Sequence, residues 1–197
     1  WLWGAGQINA YEQTLEAADG VTTPKFTCGT FTVGGYPFGF DLTCDSAIVT
    51  LGDQSVAAAG LKASAEVYNP THVLVFAKSP VTIEDAFTGS KSRVDFTSFE
   101  ASARLTGWRI ARISVVGDVL KLSEAVGTPI ALGSAAHAEF HLLDDAARYD
   151  AARHLASLRA YSVIQKLAVP GAGIAEGKAT LDAEISTRHL SFLETGR

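Results

Sequence analysis

Two cysteines and one histidine-rich strand hold most of the reactive side chains that the sequence brings together. Cys28 and Cys44 are the only cysteines, and "FTCGTFTVGGYPFGFDLTCDS" sets them symmetrically about Tyr36. In a hairpin centred there the two face each other. Directly opposed strand residues lie about 4.5 Å apart at Cα, a spacing a disulfide accepts. The apolar pattern favours a register one residue different, with Phe31 opposite Leu42 and Val33 opposite Phe40, and a bulge at the glycines would reconcile the two. The pair is read as a disulfide. Two buried free thiols are the alternative, and two thiolates without further Cys or His nearby would leave a zinc ion under-coordinated. A bridge of this span is worth roughly 3 kcal/mol in the chain-entropy model and persists in oxidising compartments.

His137, Glu139 and His141 alternate in "HAEFH" and share one face of a strand. They are weak metal-ligand candidates, because strand neighbours two apart are separated by about 6.5 Å along the chain, unlike the helical HExxH pair. The plainer reading is the solvated side of an alternating strand. There is no Gly-X-Ser-X-Gly elbow, no phosphate loop, and "VPGAGIAEG" lacks the dinucleotide-binding spacing. The expectation is a protein that is not an enzyme and carries no cofactor, with a hydrolase or metal enzyme built on the three residues as the alternative.

The turn between the cysteines, "GGYPFGF", supplies glycines for positive φ and a proline to fix the turn. It places Tyr36, Pro37 and Phe38 at a hairpin tip, a candidate contact for lipid, membrane or partner unless the aromatics fold back into the core. The chain has 197 residues, 47% hydrophobic and 19% charged, with a net charge of −5. That composition belongs to a folded chain with a large apolar interior and argues against nucleic acid as a partner, since phosphate binding needs a basic patch. There is no methionine. "WLWGAG" is read as the edge of a membrane anchor upstream, with Trp1 and Trp3 at the interface; the alternative is a helix that packs both tryptophans on the core.

These residues must be positioned by a β-rich framework. Residues 1–20 are expected to form an amphipathic helix with Ile8, Tyr11 and Leu15 on one stripe, ended by Asp19-Gly20. Residues 21–197 are expected to be the β-rich domain, with residues 188–197 as a truncation point. The period then becomes two. Strands are expected at 26–33, 38–43, 61–67, 72–78, 81–84, 94–106, 108–116, 119–122, 135–143 and 179–187, with Val116-Gly117-Asp118-Val119 as a hairpin turn. One inserted helix is expected in "DDAARYDAARHLASLRAYSVIQKL", with Ala147, Ala151, Leu155 and Leu158 on one side. The fold class is therefore mainly β (α+β): a large curved antiparallel sheet or β-groove with an N-terminal helix and one inserted helix. Two-sided apolar strands make Val73, Val75, Ile113 and Val115 the candidate lining of an apolar groove, an ordinary closed core being the alternative.

Several stretches resemble a known family. The Trp-rich start running into a helix, "CGTFTVGGYPFGFDLTC" and "LKASAEVYNPTHVLVFAKSP" are similar to a bacterial envelope family of mostly alphaproteobacterial members, domain of unknown function 2125. "SARLTGWRIARISVVGDVLKL" and "HAEFHLLDD" share the likeness. Tyr36 stands where many relatives have Phe, and Gly39 where Arg is frequent. The resemblance implies a periplasmic protein anchored to the inner membrane by an N-terminal segment. Its layout is similar in style to AsmA-like envelope proteins, whose apolar β-grooves are thought to carry lipid. The expected function is binding or transport of lipid or another apolar ligand; the alternative is an accessory or scaffold subunit of an envelope membrane complex. The partners implied are lipid or the inner membrane, and a membrane protein complex under the second reading.

Overall fold

The computed structural model describes residues 2–106, 109–145, 148 and 156–187. Most of the described residues are strand, in one antiparallel sheet of ten strands with one N-terminal helix. The elements run α1 (Leu2–Glu16), β1 (Lys25–Gly34), β2 (Gly39–Leu51), β3 (Gln54–Glu66), β4 (Asn69–Asp85), β5 (Ser90–Asp95), β6 (Ser98–Thr106), β7 (Arg109–Glu124), β8 (Ile130–Asp144), β9 (Ala156–Val169) and β10 (Ile174–Thr187). Each strand turns back beside its predecessor, so the topology is a meander with short joins. The one variation is that β5 and β6 share a single lane between β4 and β7. The lane breaks at Phe96, whose N–H leaves the ladder to donate to Ser79 Oγ at 3.1 Å.

The helix ends where Asp19 folds back on the chain. Its carboxylate accepts the N–H groups of Val21, Thr22 and Thr23 and the Thr22 hydroxyl, at 2.6–3.1 Å. Those bonds to the ionised form hold Asp19 far below the usual carboxylate range. The chain is thereby turned from α1 into β1, and α1 lies back over β1.

Three expectations are corrected. First, Val116–Val119 is not a hairpin turn: β7 runs unbroken from Arg109 to Glu124, paired to β8 on both sides of the site. Val119 instead absorbs a local kink with φ 52°. Second, the inserted helix does not reach Leu158, because residues 156–169 are β9, bonded to β8 on one side and β10 on the other. Leu155 and Ala151 fall outside the described residues, as do the other residues of 146–155 except Arg148. A strand paired along both edges gains a ladder on each side, and this outweighs the helix propensity of an Ala- and Arg-rich run.

Third, the β1–β2 register differs from both expected ones: Phe31 faces Cys44 and Val33 faces Leu42. The cysteines are nonetheless bridged, with Cα atoms 5.7 Å apart. Cys28 pairs in the ladder with Ala47 and Cys44 with Phe31. What brings them together is a kink between those pairs, where Ser46 takes φ 64° and a Cβ on Gly29 would stand 2.7 Å from the Asp45 carbonyl oxygen. The expected reconciliation by a bulge does not occur: the ladder keeps one register from the Lys25–Thr50 pair to the Gly34–Asp41 pair.

Candidate functional site

Directly paired residues of an antiparallel sheet share a face, so the register reads out both faces. One row runs Val33, Leu42, Ala63, Val75, Ala101, Val115, Phe140, Ser162 and Leu181, one residue per lane from β1 to β10. The next row on the same face carries Phe40, Ala65, Val73, Ala103, Ile113, Leu142, Ala160 and Ala183. Ser162 is the only polar residue in either. The four expected groove residues Val73, Val75, Ile113 and Val115 therefore lie side by side on one continuous apolar face.

Among the described residues little covers that face. Helix α1 shields its β1–β3 end, leaving an apolar cavity of ≈ 240 Å³ lined by Ile8, Leu15, Phe26, Phe31, Leu42 and Leu61 among others, with Val75 also on its wall. The one ionisable group there is Glu12. Loss of hydration, and then the charge of Glu16, push its carboxyl above the usual range. At the far end Phe140 is 39% and Leu181 51% exposed. No large side chain is fully buried among the described residues. The accessible surface is 12545 Å², against about 8,900 Å² expected for a compact monomer of this mass. The sheet is a single layer with one face clothed in Val, Leu, Ile, Phe and Ala.

The hairpin tip projects. Tyr36 and Phe38 are 72% and 76% exposed, and Pro37 is exposed between them. Gly35 makes the tip possible: at φ +93° a side chain there would stand 2.8 Å from the Gly39 carbonyl oxygen. The Phe38 carbonyl accepts the Val67 N–H at 3.0 Å, which ties the tip to the β3–β4 turn and adds Tyr68, 75% exposed, to the same end. Phe40, the third aromatic of the turn, is half-buried on the apolar face. Trp3 falls in the first turn of α1, and Trp1 is outside the described residues.

The other face is polar, and it holds the histidines. His137, Glu139 and His141 do come together, with Glu139 3.8 Å from His137 Nε2 and 3.5 Å from His141 Nε2. Each Nδ1 has its own partner: Asp118 Oδ1 at 2.7 Å for His137 and Ser114 Oγ at 2.9 Å for His141. Ser98 Oγ donates to the second Asp118 oxygen at 2.7 Å. Among the described residues no group of three His, Cys, Asp or Glu side chains is placed to hold a metal ion. The arrangement is a hydrogen-bonded ladder, not a ligand set. Its partners Asp118 and Ser114 lie on β7, beyond the reach of a local motif. The β7–β8 register brings them in, setting Ser114 opposite His141 and Asp118 opposite His137.

This ladder has a pH signature. The hydrogen bond to Asp118, aided by the charges of Asp118 and Glu139, raises the His137 pKa above its ordinary 6.5. The same bond, with that from Ser98, lowers Asp118. A raised histidine contributes stability that is complete below 6.5 and disappears as pH rises through its folded pKa; the lowered aspartate contributes above 3.8 and loses it as pH falls through its own. The melting midpoint is expected to fall between pH 6 and pH 8 by more in the wild type than in Asp118→Asn. In the variant the His137 ring resonances in NMR are expected to titrate closer to 6.5. An unchanged His137 midpoint would remove Asp118 as the cause.

Among the described residues no helix is long and apolar enough to cross a membrane. No curated protein and no solved structure matches the chain. A family model, described as an uncharacterized protein conserved in bacteria (DUF2125), matches residues 1–192. With nearly the whole length matched, the chain belongs to that bacterial family.

Proposed function

We propose that this chain is a periplasmic, inner-membrane-tethered β-groove protein that holds the acyl chains of lipid against its apolar face. The observation that carries the reading is the pair of adjacent rows through Val73, Val75, Ile113 and Val115, apolar across every lane but one and, among the described residues, covered by α1 only at one end. Apolar area left in water costs about 25 cal/mol per Å², and exposed patches on this scale mark a surface that meets an apolar partner. An alkyl chain laid along the rows satisfies the face without asking for polar contacts. The disulfide supports the compartment, because such bridges persist outside the reducing cytosol. Native mass spectrometry of protein gently extracted from its own membranes tests the reading. The expected mass exceeds the chain by one or two lipids that leave on harsh activation. A bare monomer, with no lipid in organic extracts, would overturn it.

A second reading has its own observation. Tyr36, Phe38 and Tyr68 project from the same end of the sheet, exposed aromatic surface of the kind that anchors protein interfaces. Under it the chain is an accessory subunit of an envelope membrane complex, and the same spectrum would show a defined assembly in place of lipid adducts.

A further inference from the structure

The polar face carries two directly paired arginines, Arg104 and Arg112, that no carboxylate among the described residues neutralises. His72, Arg104, Arg112, Leu143 and Arg159 are paired in turn across β4, β6, β7, β8 and β9. Arg104 and Arg112 thus stand directly opposite one another, a like-charge pairing that destabilises a sheet. Among the described residues neither is in ion-pair contact with a carboxylate. The acids of this end are engaged elsewhere: Asp182 accepts Arg159 Nε and Nη2 at 3.1 and 2.7 Å, and Glu184 and Asp145 pair with Arg148. In a chain with a net charge of −5, two adjacent unneutralised guanidiniums call for an anion from outside.

The row also has a place for one. A hollow of ≈ 350 Å³ on this face is lined by Arg112, His141, Leu143, Arg159 and Tyr161, with no carboxylate in its wall. Arg112 is held by its Nε donating to Ser114 Oγ at 2.9 Å, which leaves both Nη groups free of that bond. Tyr161 stacks on His141 at 6.0 Å and 16°, fixing the wall between them. Arg112 and Arg159 sit two lanes apart, about 9.6 Å at the backbone. That separation lets the Nη groups of Arg112 and the Arg159 Nη1, which Asp182 does not hold, reach one tetrahedral oxyanion from opposite sides.

We propose that this hollow binds a phosphate-type oxyanion, supplied as a lipid headgroup or as free phosphate. The proposal is independent of the acyl-chain reading, since it uses the opposite face of the sheet. Calorimetric titration of the full chain with inorganic phosphate and with dihexanoyl phosphatidylglycerol, below its micelle concentration, tests it. Saturable binding of at least one is expected, weakened tenfold or more in R112Q. Tighter binding of the phospholipid would identify a headgroup site; equal or exclusive binding of phosphate would identify a free-phosphate site. R104Q separates recognition from structure. It is expected to weaken binding while raising the melting midpoint of the ligand-free chain, because it removes the like-charge neighbour. No saturable heat with either probe, wild-type affinity in R112Q, or a lowered midpoint in R104Q would overturn the proposal.

Discussion

Opening the Cys28–Cys44 bridge is expected to lower the melting midpoint by about 6–12 °C. Closing the loop between residues 28 and 44 contributes roughly 3 kcal/mol by restricting the unfolded chain, and 1 kcal/mol corresponds to about 2–4 °C in a domain of this size. The bridge joins β1, an edge strand bonded to β2 alone, to the sheet's interior, and α1 rests on β1. Loss of the bond is therefore expected to loosen residues 2–34 before the rest, visible as faster amide exchange confined to α1 and β1. The two single serine variants should not be equal. Cys44 is 4% exposed and lines the apolar cavity beneath α1, whereas Cys28 is only half-buried. Cys44→Ser then adds a hydroxyl with apolar neighbours, about 1–3 kcal/mol beyond the lost bond, and Cys44→Ala is expected to recover that part. Calorimetry of the wild type with and without reductant, and of the three variants, measures each effect. A shift under 2 °C on reduction would mean that the sheet holds β1 without the bridge.

The bond was legible in the sequence and its register was not, for one reason. Mirror symmetry about Tyr36 misplaces the hairpin's centre: the uniform ladder ending in the Gly34–Asp41 pair is centred between Pro37 and Phe38, and the cysteines meet only through the kink at Gly29 and Ser46, which no period reveals. The apolar face was legible in part. Val73, Val75, Ile113 and Val115 are visible because they stand in strongly apolar strand runs, and only the register tells which face each takes. Ala101, Ala103 and Ala160 complete the same rows with side chains too small to give a signal. The Ala–Arg run after Asp144 reads as a helix on propensity alone, and its last part becomes β9 because β8 and β10 flank it. The cation row was out of reach altogether. Arg104, Arg112 and Arg159 are scattered over more than fifty positions, and only the meander lines them up.

Val115→Asp is expected to abolish lipid binding while leaving the empty chain folded. Val115 sits at the middle of the apolar row, between Ala101 on β6 and Phe140 on β8, with Val75 and Ser162 one lane further out. It is half-buried by these neighbours and lies beyond the cover of α1. If the face meets water, an aspartate there remains hydrated and the midpoint moves by less than the about 2–4 °C that 1 kcal/mol represents. If an acyl chain lies along the row, the same carboxylate must lose its water against methylene groups, a cost of several kcal/mol. Lipid adducts in the native mass spectrum are then expected to drop by at least tenfold. The comparison also separates a binding face from an ordinary core. A closed core would charge the full desolvation cost to folding itself, and the variant would fail to fold with or without lipid. A folded Val115→Asp that keeps its lipid would move the acyl chain off this face. The joint result expected here, normal melting with lost lipid, requires a face that is apolar, open and used.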